Sequence, residues 1–379
     1  MAKKAKATTV EIQDTEFDDV FLTFGHPVSI IEDLERTVIP WSPAYDQCLG
    51  GGVVSGGMVN LAGMEKLGKT SSLLHLLRNC QKPEHGGRYW NKQAATERGD
   101  RPGRPVVYVN VEGRLTKRDI RSIPGMDYSK DKFRIITTTA TNVMYAQNFF
   151  ADLQRLIEKV PGVCVLVDSV GMFCTRELQS ASDGEQKRDP AQVLTSQFIK
   201  KIGQLLMPMD TIFLNVLHKY ANTNAKFNEK KTVIAGGSKV AFENLAAIDA
   251  TYSKKAPMDN EKDVSDGQMI FLKCINSELG PRHVEAEAYL LFGQGLWSSY
   301  ELLSLVTQPG VDGCYGVTSK AGGYFTFDAS VAGATVKLRN AKKTAAWLDE
   351  NPKVYQAIYN MYKDAQWPNT KLYEKPTKK

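Results

Sequence analysis

Gly63, Gly68, Lys69 and Thr70 fall in the pattern G-x-x-x-x-G-K-T, a spacing whose chemistry is the gripping of phosphate. Glycines let the backbone turn tightly and bring its N–H groups close to phosphate oxygens. An ammonium at Lys69 adds a point charge for the β and γ phosphates, and the Thr70 hydroxyl can ligate Mg²⁺. Glu65, Lys66 and Leu67 lie inside the loop and Ser71 follows it, so all four are candidate nucleotide contacts. A glycine-rich turn with a chance lysine is the plain alternative. Against it stand MVNLA before the motif and SSLLHLL after it, the strand and helix that such a loop requires, the helix N-terminus adding partial positive charge.

Two carboxylates complete a candidate hydrolytic set. VCVLVDSV brings Asp168 to the end of an apolar run, where it could hold Mg²⁺ through water; a carboxylate capping a turn is the other reading. VVYVNVEGR places Glu112 just after another strand, the best candidate for polarising the attacking water. Phosphoryl transfer needs positioning and charge, so the lack of a Ser/His/Asp arrangement is no deficit. Five scattered histidines make a zinc site a poor reading.

The elements that must position these groups follow from periodicity. Between about residues 41 and 255, apolar strand-like runs (MVNLAG, VVYVNVE, VCVLVDSV, TIFLNVL) alternate with amphipathic helical patterns. That rhythm predicts an α/β fold, a mostly parallel sheet covered by helices on both faces, with ligands at the carboxyl ends of the strands. Two stretches break it: residues 81–105, rich in Gly, Pro and Arg, read as a long surface loop, and residues 220–237 are polar and basic. We divide the chain into an appendage at 1–40, a core at 41–300, and a small C-terminal α/β subdomain with a basic tail at 301–379. Its 379 residues are 42% hydrophobic and 24% charged, an ordinary globular balance, and the net charge of +6 suits a polyanion without requiring one. The six cysteines show no CxxC pair, and no run approaches the roughly 18 apolar residues of a membrane span. With no signal peptide read at the start, the expectation is a cytoplasmic protein with no membrane partner.

In these residues the chain resembles the RecA family of strand-exchange recombinases. SPAYDQCLGGGVVSGGMVNLAG is similar to the family's lead-in to the phosphate loop, and the order of phosphate loop, strand with Glu, strand ending in Asp-Ser is the family's order. LTSQFIKKI, AGGSKVAFENLA and TAAWLDENP resemble three later family motifs, so the likeness spans about residues 40–362. It implies a RecA-like P-loop ATPase core, with ATP and Mg²⁺ held by the loop, Thr70 and Asp168, and water activation by Glu112. It also implies two DNA loops. The first, about 175–192, carries Arg176, Lys187 and Arg188; the second, about 220–237, carries Lys226, Phe227, Lys230, Lys231, Gly236 and Gly237. Lysines flanking an aromatic suit a phosphate backbone and stacked bases, though a solvated basic loop has the same composition.

Where bacterial members carry a γ-phosphate-sensing Gln, this chain has Val216, leaving Asn215 and His218 as substitutes; His218 could hydrogen-bond a phosphate or a DNA backbone, and a structural histidine at a strand end is the other reading. The family's trans-acting K-N-K run is FLKCINSE here, so Lys273 is kept, and Arg282 is a candidate for the missing second cation. The basic ending KLYEKPTKK and the positive charge between Arg88 and Arg104 resemble a phage-encoded, UvsX-like branch more than a cellular one. The resemblance implies an ATP-dependent recombinase that forms helical filaments on single-stranded DNA and pairs it with homologous duplex DNA, located with the nucleoid or DNA of a bacterial or phage-infected cell. Single-strand-binding and loader proteins are further implied partners. The segment 21–24 is expected to dock on the next subunit as an edge strand or to fold back on its own core. A hexameric helicase of the same core fold and a non-catalytic, ATP-binding filament regulator are the rival readings.

Overall fold

The computed structural model describes residues 36–99, 101–139, 143–180, 190–221, 232–234, 244–255 and 266–373. The expectations for residues 1–35 and for Lys187, Arg188, Lys226, Phe227, Lys230, Lys231, Gly236 and Gly237 lie outside them.

Two short strands, β1 (Val38–Ile39) and β2 (Val53–Val54), pair antiparallel ahead of the main sheet. The sheet then takes β3 (Gly57–Gly63), β4 (Val106–Asn110), β5 (Phe133–Thr137), β6 (Cys164–Asp168) and β7 (Ile212–Ala221). β8 (Thr232–Ile234) pairs antiparallel with the end of β7, and β9 (Ala246–Lys255) lies parallel to β3. Six parallel strands thus run in the spatial order β5-β4-β6-β7-β3-β9, and β10 (Gly267–Asn276), β11 (Glu285–Leu291) and β12 (Gly295–Leu296) extend that edge antiparallel. The α/β architecture expected from the strand and helix rhythm is the one observed.

β3, β4 and β6 are buried at every residue because helices cover both faces of the sheet, which is why they read as unbroken apolar runs. On one face the helix Lys69–Cys80 contributes Leu73, Leu74, Leu76 and Leu77. On the other, the helices Ala146–Lys159 and Ala191–Leu206 pack a phenylalanine cluster in which Phe150 and Phe198 stack at 4.5 Å. Parallel pairing brings the carboxyl ends of β3, β4 and β6, and His218 of β7, to one edge.

The C-terminal part has its own core of Leu302, Val317, Phe327, Leu348 and Ile358. β13 (Val317–Lys320), β14 (Tyr324–Phe327) and β15 (Val336–Arg339) form an antiparallel sheet beside the helices Ala341–Glu350 and Pro352–Gln366. Asn340 caps the first of these by accepting from the N–H groups of Lys342 and Lys343, and Pro352 opens the second where its missing N–H does no harm.

Residues 81–105 depart from the surface loop expected of them. They form a 3-10 turn at Pro83–His85 and the helices Gly87–Trp90 and Lys92–Arg98, and Ala95 is fully buried. Arg104 is also fully buried: its guanidinium donates to the carbonyls of His85 (2.8 Å), Gly162 (3.1 Å) and Asp210 (2.5 Å) and pairs with the Asp210 carboxylate at 2.8 Å. Arg88 donates to the carbonyls of Met207 and Pro208. The segment therefore closes the amino ends of β6 and β7, with Arg104 serving buried carbonyls and Arg88 serving the carbonyls of Met207 and Pro208 nearer the surface. Composition misled here because a polar residue whose every donor is matched can be interior.

Candidate functional site

At the carboxyl edge, β3 ends at Gly63 and the chain turns through residues 64–68 into the helix Lys69–Cys80. Gly68 has φ 71°, a left-handed conformation that favours glycine, and a Cβ there would press on the ends of the Leu290, Gln268 and Ile270 side chains, 2.6 Å from Leu290 Cδ2. A Cβ on Gly63 would stand 2.7 Å from the carbonyl oxygen of Ala250 on the adjacent strand.

Lys69 is buried, and its ammonium donates to the carbonyls of Gly63 (3.0 Å) and Met64 (2.5 Å), bridging its own loop. Burial lowers its pKa, while Asp168, Glu112 and Glu65 act in the other direction. Thr70 Oγ1 donates to Asp168 Oδ2 at 2.7 Å, and the phenol of Tyr108 donates to the same oxygen at 2.9 Å. Burial raises the Asp168 pKa above the ordinary carboxylate value, the two hydroxyl donors working against that rise.

These groups border a pocket of about 290 Å³, into which Glu65, Lys66, Leu67, Ser71, Glu112 and His218 also face. Glu112 lies two residues beyond the end of β4, and the backbone N–H groups of Val111 and Glu112 donate to the Asp168 carbonyl, fixing the two acidic segments side by side. His218 sits directly across from Gly63 in the β3–β7 register. Its Nε2 is 2.6 Å from Glu112 Oε1, an ion-pair approach in which neither ring nitrogen has an aligned hydrogen bond.

The sequence-derived residues separate into those this edge gathers and those it does not. Gly63, Glu65, Lys66, Leu67, Gly68, Lys69, Thr70, Ser71, Glu112, Asp168 and His218 converge. Asn215, expected as an alternative phosphate sensor, does not: it is fully buried within the sheet, its amide donating to Asn60 Oδ1 at 2.9 Å. Strand alternation explains the correction, since positions 215 and 218 of β7 face opposite sides. Lys273 stands on β10, 3.2 Å from Glu285, and does not border the pocket. Arg176 is exposed at the start of the short helix Arg176–Gln179, over the Tyr145 ring at 5.5 Å.

Among the described residues, Glu112, Asp168 and His218 bring ligand atoms within 4.8 Å of one another. With Glu112 and His218 already in contact, Thr70 and Asp168 form the better seat for Mg²⁺, a hard cation that prefers oxygen donors and keeps several waters.

The profile of the AAA domain family matches residues 30–219, half of the chain. The chain belongs to this family. This AAA domain protein is also similar to proteins named Protein RecA. That of Campylobacter lari is 24% identical over 330 residues, covering 84% of this chain and 82% of its own length. Those of Bifidobacterium breve and Oleidesulfovibrio alaskensis are each 24% identical, over 363 residues (92% and 80%) and 371 residues (94% and 93%). Together with the sheet, these matches make the core of the AAA domain protein a RecA-like P-loop ATPase core.

Tyr108, Asn110, Arg114 and Asp119 of the AAA domain protein also border the pocket and escaped the sequence reading. A signal for Tyr108 and Asn110 was available: they alternate with valines along VVYVN and share parity with Glu112. No comparable pattern marks Arg114, whose NH1 lies 3.6 Å from Glu112 and 3.8 Å from Glu65.

Proposed function

We propose that this protein is an ATP-dependent homologous recombinase: it forms filaments on single-stranded DNA and catalyses pairing and strand exchange with homologous duplex DNA, as a DNA-dependent ATPase. One observation carries the reading. β7 runs past the phosphate loop at His218 and within three residues enters the β7–β8 ladder, where Lys219, Tyr220 and Ala221 pair with Ile234, Val233 and Thr232. A single strand therefore joins the nucleotide pocket to both ends of the second candidate DNA loop, whose central residues 222–231 include Lys226, Phe227, Lys230 and Lys231.

The pocket residues fit a nucleoside triphosphate. The Lys69 ammonium rests on loop carbonyls that a phosphate oxyanion replaces as partner, and Gly68 turns the loop with a left-handed φ of 71°. Bound Mg²⁺, held by Thr70 and Asp168, supplies neutralisation of phosphate charge. Glu112 orients and polarises the attacking water. His218, in contact with Glu112, reports occupancy of the pocket along β7. Lys273, away from its own chain's pocket, contacts a nucleotide only if a neighbouring copy holds it, with Arg282 on the following turn as the second cation. The basic ending fits the phage-encoded branch of the family.

The test is Mg²⁺-dependent ATP hydrolysis with and without single-stranded DNA, together with joint-molecule formation. Strong stimulation by DNA, and loss of both activities in Lys69→Ala, are expected. A hydrolysis rate indifferent to DNA would overturn the proposal and favour the rival readings.

A further inference from the structure

A second, larger cavity of about 580 Å³ lies at the opposite end of the phosphate-loop helix, between it and the helix Pro352–Gln366. His75 and Arg78 face it from positions six and nine residues beyond Lys69, about 9 and 14 Å along the helix. The NH2 of Arg78 lies 2.6 Å from His75 Nε2. A guanidinium can only donate, so Nε2 accepts and the ring proton sits on Nδ1. Burial and the neighbouring Arg78 and Lys82 hold the imidazole pKa well below its ordinary value, in keeping with a neutral ring.

His75 is 2% exposed, and its Nδ1 has no hydrogen-bond partner. Arg78 donates otherwise to Asn79 Oδ1 (3.1 Å) and, at 3.4 Å, to the Pro124 carbonyl, neither of them charged. Among the described residues neither Arg78 nor Lys82 has a carboxylate within ion-pair distance. Of the acids around the cavity two are engaged by hydrogen bonds, and the third, Glu84, acts on Lys82 electrostatically without pairing with it. Asp349 accepts from Trp297 Nε1 (2.7 Å) and Ser299 Oγ (2.6 Å), Asp46 accepts from Trp41 N (2.7 Å) and Tyr359 OH (2.9 Å), and Glu84 stands on the exposed rim. What remains is two cations facing the cavity, Arg78 and Lys82, whose charge no paired carboxylate neutralises, beside an interior His75 N–H without a partner.

We propose that this cavity is a second anion site, separate from the phosphate loop, taking a small phosphate-bearing molecule whose oxyanion is held by Arg78 and Lys82, with His75 Nε2 fixing the Arg78 guanidinium in place. Trp41, Trp297 and Tyr355 give the rest of the cavity aromatic walls for the remainder of such a ligand. Its volume is that of a small-molecule site.

The experiment is calorimetric titration of inorganic pyrophosphate into the full-length protein at fixed ionic strength, with saturating ADP occupying the phosphate loop. One saturable site is expected. Arg78→Gln should weaken it about tenfold, the scale of one hydrogen bond to a charged group. Lys82→Glu, a change at the exposed rim that leaves the core untouched, should weaken it by a similar factor and decides the matter if Arg78→Gln fails to fold. No saturable binding beside ADP, or binding equally tight in the folded variants, would overturn the proposal.

Discussion

The two edges of the main sheet both bury charge, and they do so to opposite ends. At the amino edge, Arg104 and Asp210 form a closed set: the guanidinium is matched by three carbonyls and a carboxylate, and the other Asp210 oxygen accepts from Ser55 Oγ at 2.5 Å. At the carboxyl edge the set is open. Lys69 leans on its own loop, Asp168 is held by two hydroxyls, and His218 meets Glu112 without an aligned hydrogen bond. Buried charge that is fully matched holds a fold, whereas buried charge left short of partners is disposed toward a ligand.

The largest effect that would test this contrast is at the amino edge. Arg104→Ala leaves the buried Asp210 carboxyl without its partner cation, and should destabilise the protein by about 3–5 kcal/mol in denaturant unfolding. ADP affinity measured under conditions where the variant remains folded should be unchanged. A variant as stable as the parent would show that the amino edge does not depend on the pair.

At the carboxyl edge the order reverses, activity changing and stability not. Glu112→Gln keeps the shape of the side chain but removes the charge proposed to polarise water, so hydrolysis should fall about 100-fold, equivalent to about 2.7 kcal/mol. ADP binding and melting temperature should stay close to those of the parent. If hydrolysis survives, another group in the pocket orients the water, and His218 is the next to replace.

What the sequence made legible follows the same division. The phosphate loop, Glu112 and Asp168 could be read because a short motif and two apolar runs tie chemistry to local spacing. The parallel sheet could be read because strands buried on both faces leave continuous hydrophobic signatures. Residues 81–105 could not, since the partners of Arg104 lie 19, 58 and 106 positions away and no local pattern encodes them. Asn215 was expected near the pocket because it adjoins Val216, where the resemblance places a sensing Gln, and that nearness in sequence concealed the alternation of β7. The C-terminal α/β subdomain was expected without strand bounds, since β13, β14 and β15 are four residues each, too short for a clear period of two.

The smallest change sharpens the comparison most. Tyr108→Phe removes one hydroxyl and leaves the ring, yet that hydroxyl is one of two donors that oppose the burial-driven rise in the Asp168 pKa. Without it the carboxyl should rise further, and more of it should be protonated and unable to support Mg²⁺ at a given pH. The acid limb of the pH–rate profile should then move to higher pH, with hydrolysis near neutrality down by up to about tenfold, the scale of one hydrogen bond to a carboxylate. Stability has the opposite sign. A carboxyl whose folded pKa lies above its ordinary value of 3.8 contributes stability below that value and loses it as the pH rises through the raised one. Nucleotide-free Tyr108→Phe should therefore lose more stability than the parent as the pH rises from the acid range toward neutrality, and melting temperatures across that range would reveal it. If neither the acid limb nor the melting profile moves, the phenol is only packing against Asp168, and the open character of the carboxyl edge rests on Lys69, Thr70 and His218 alone.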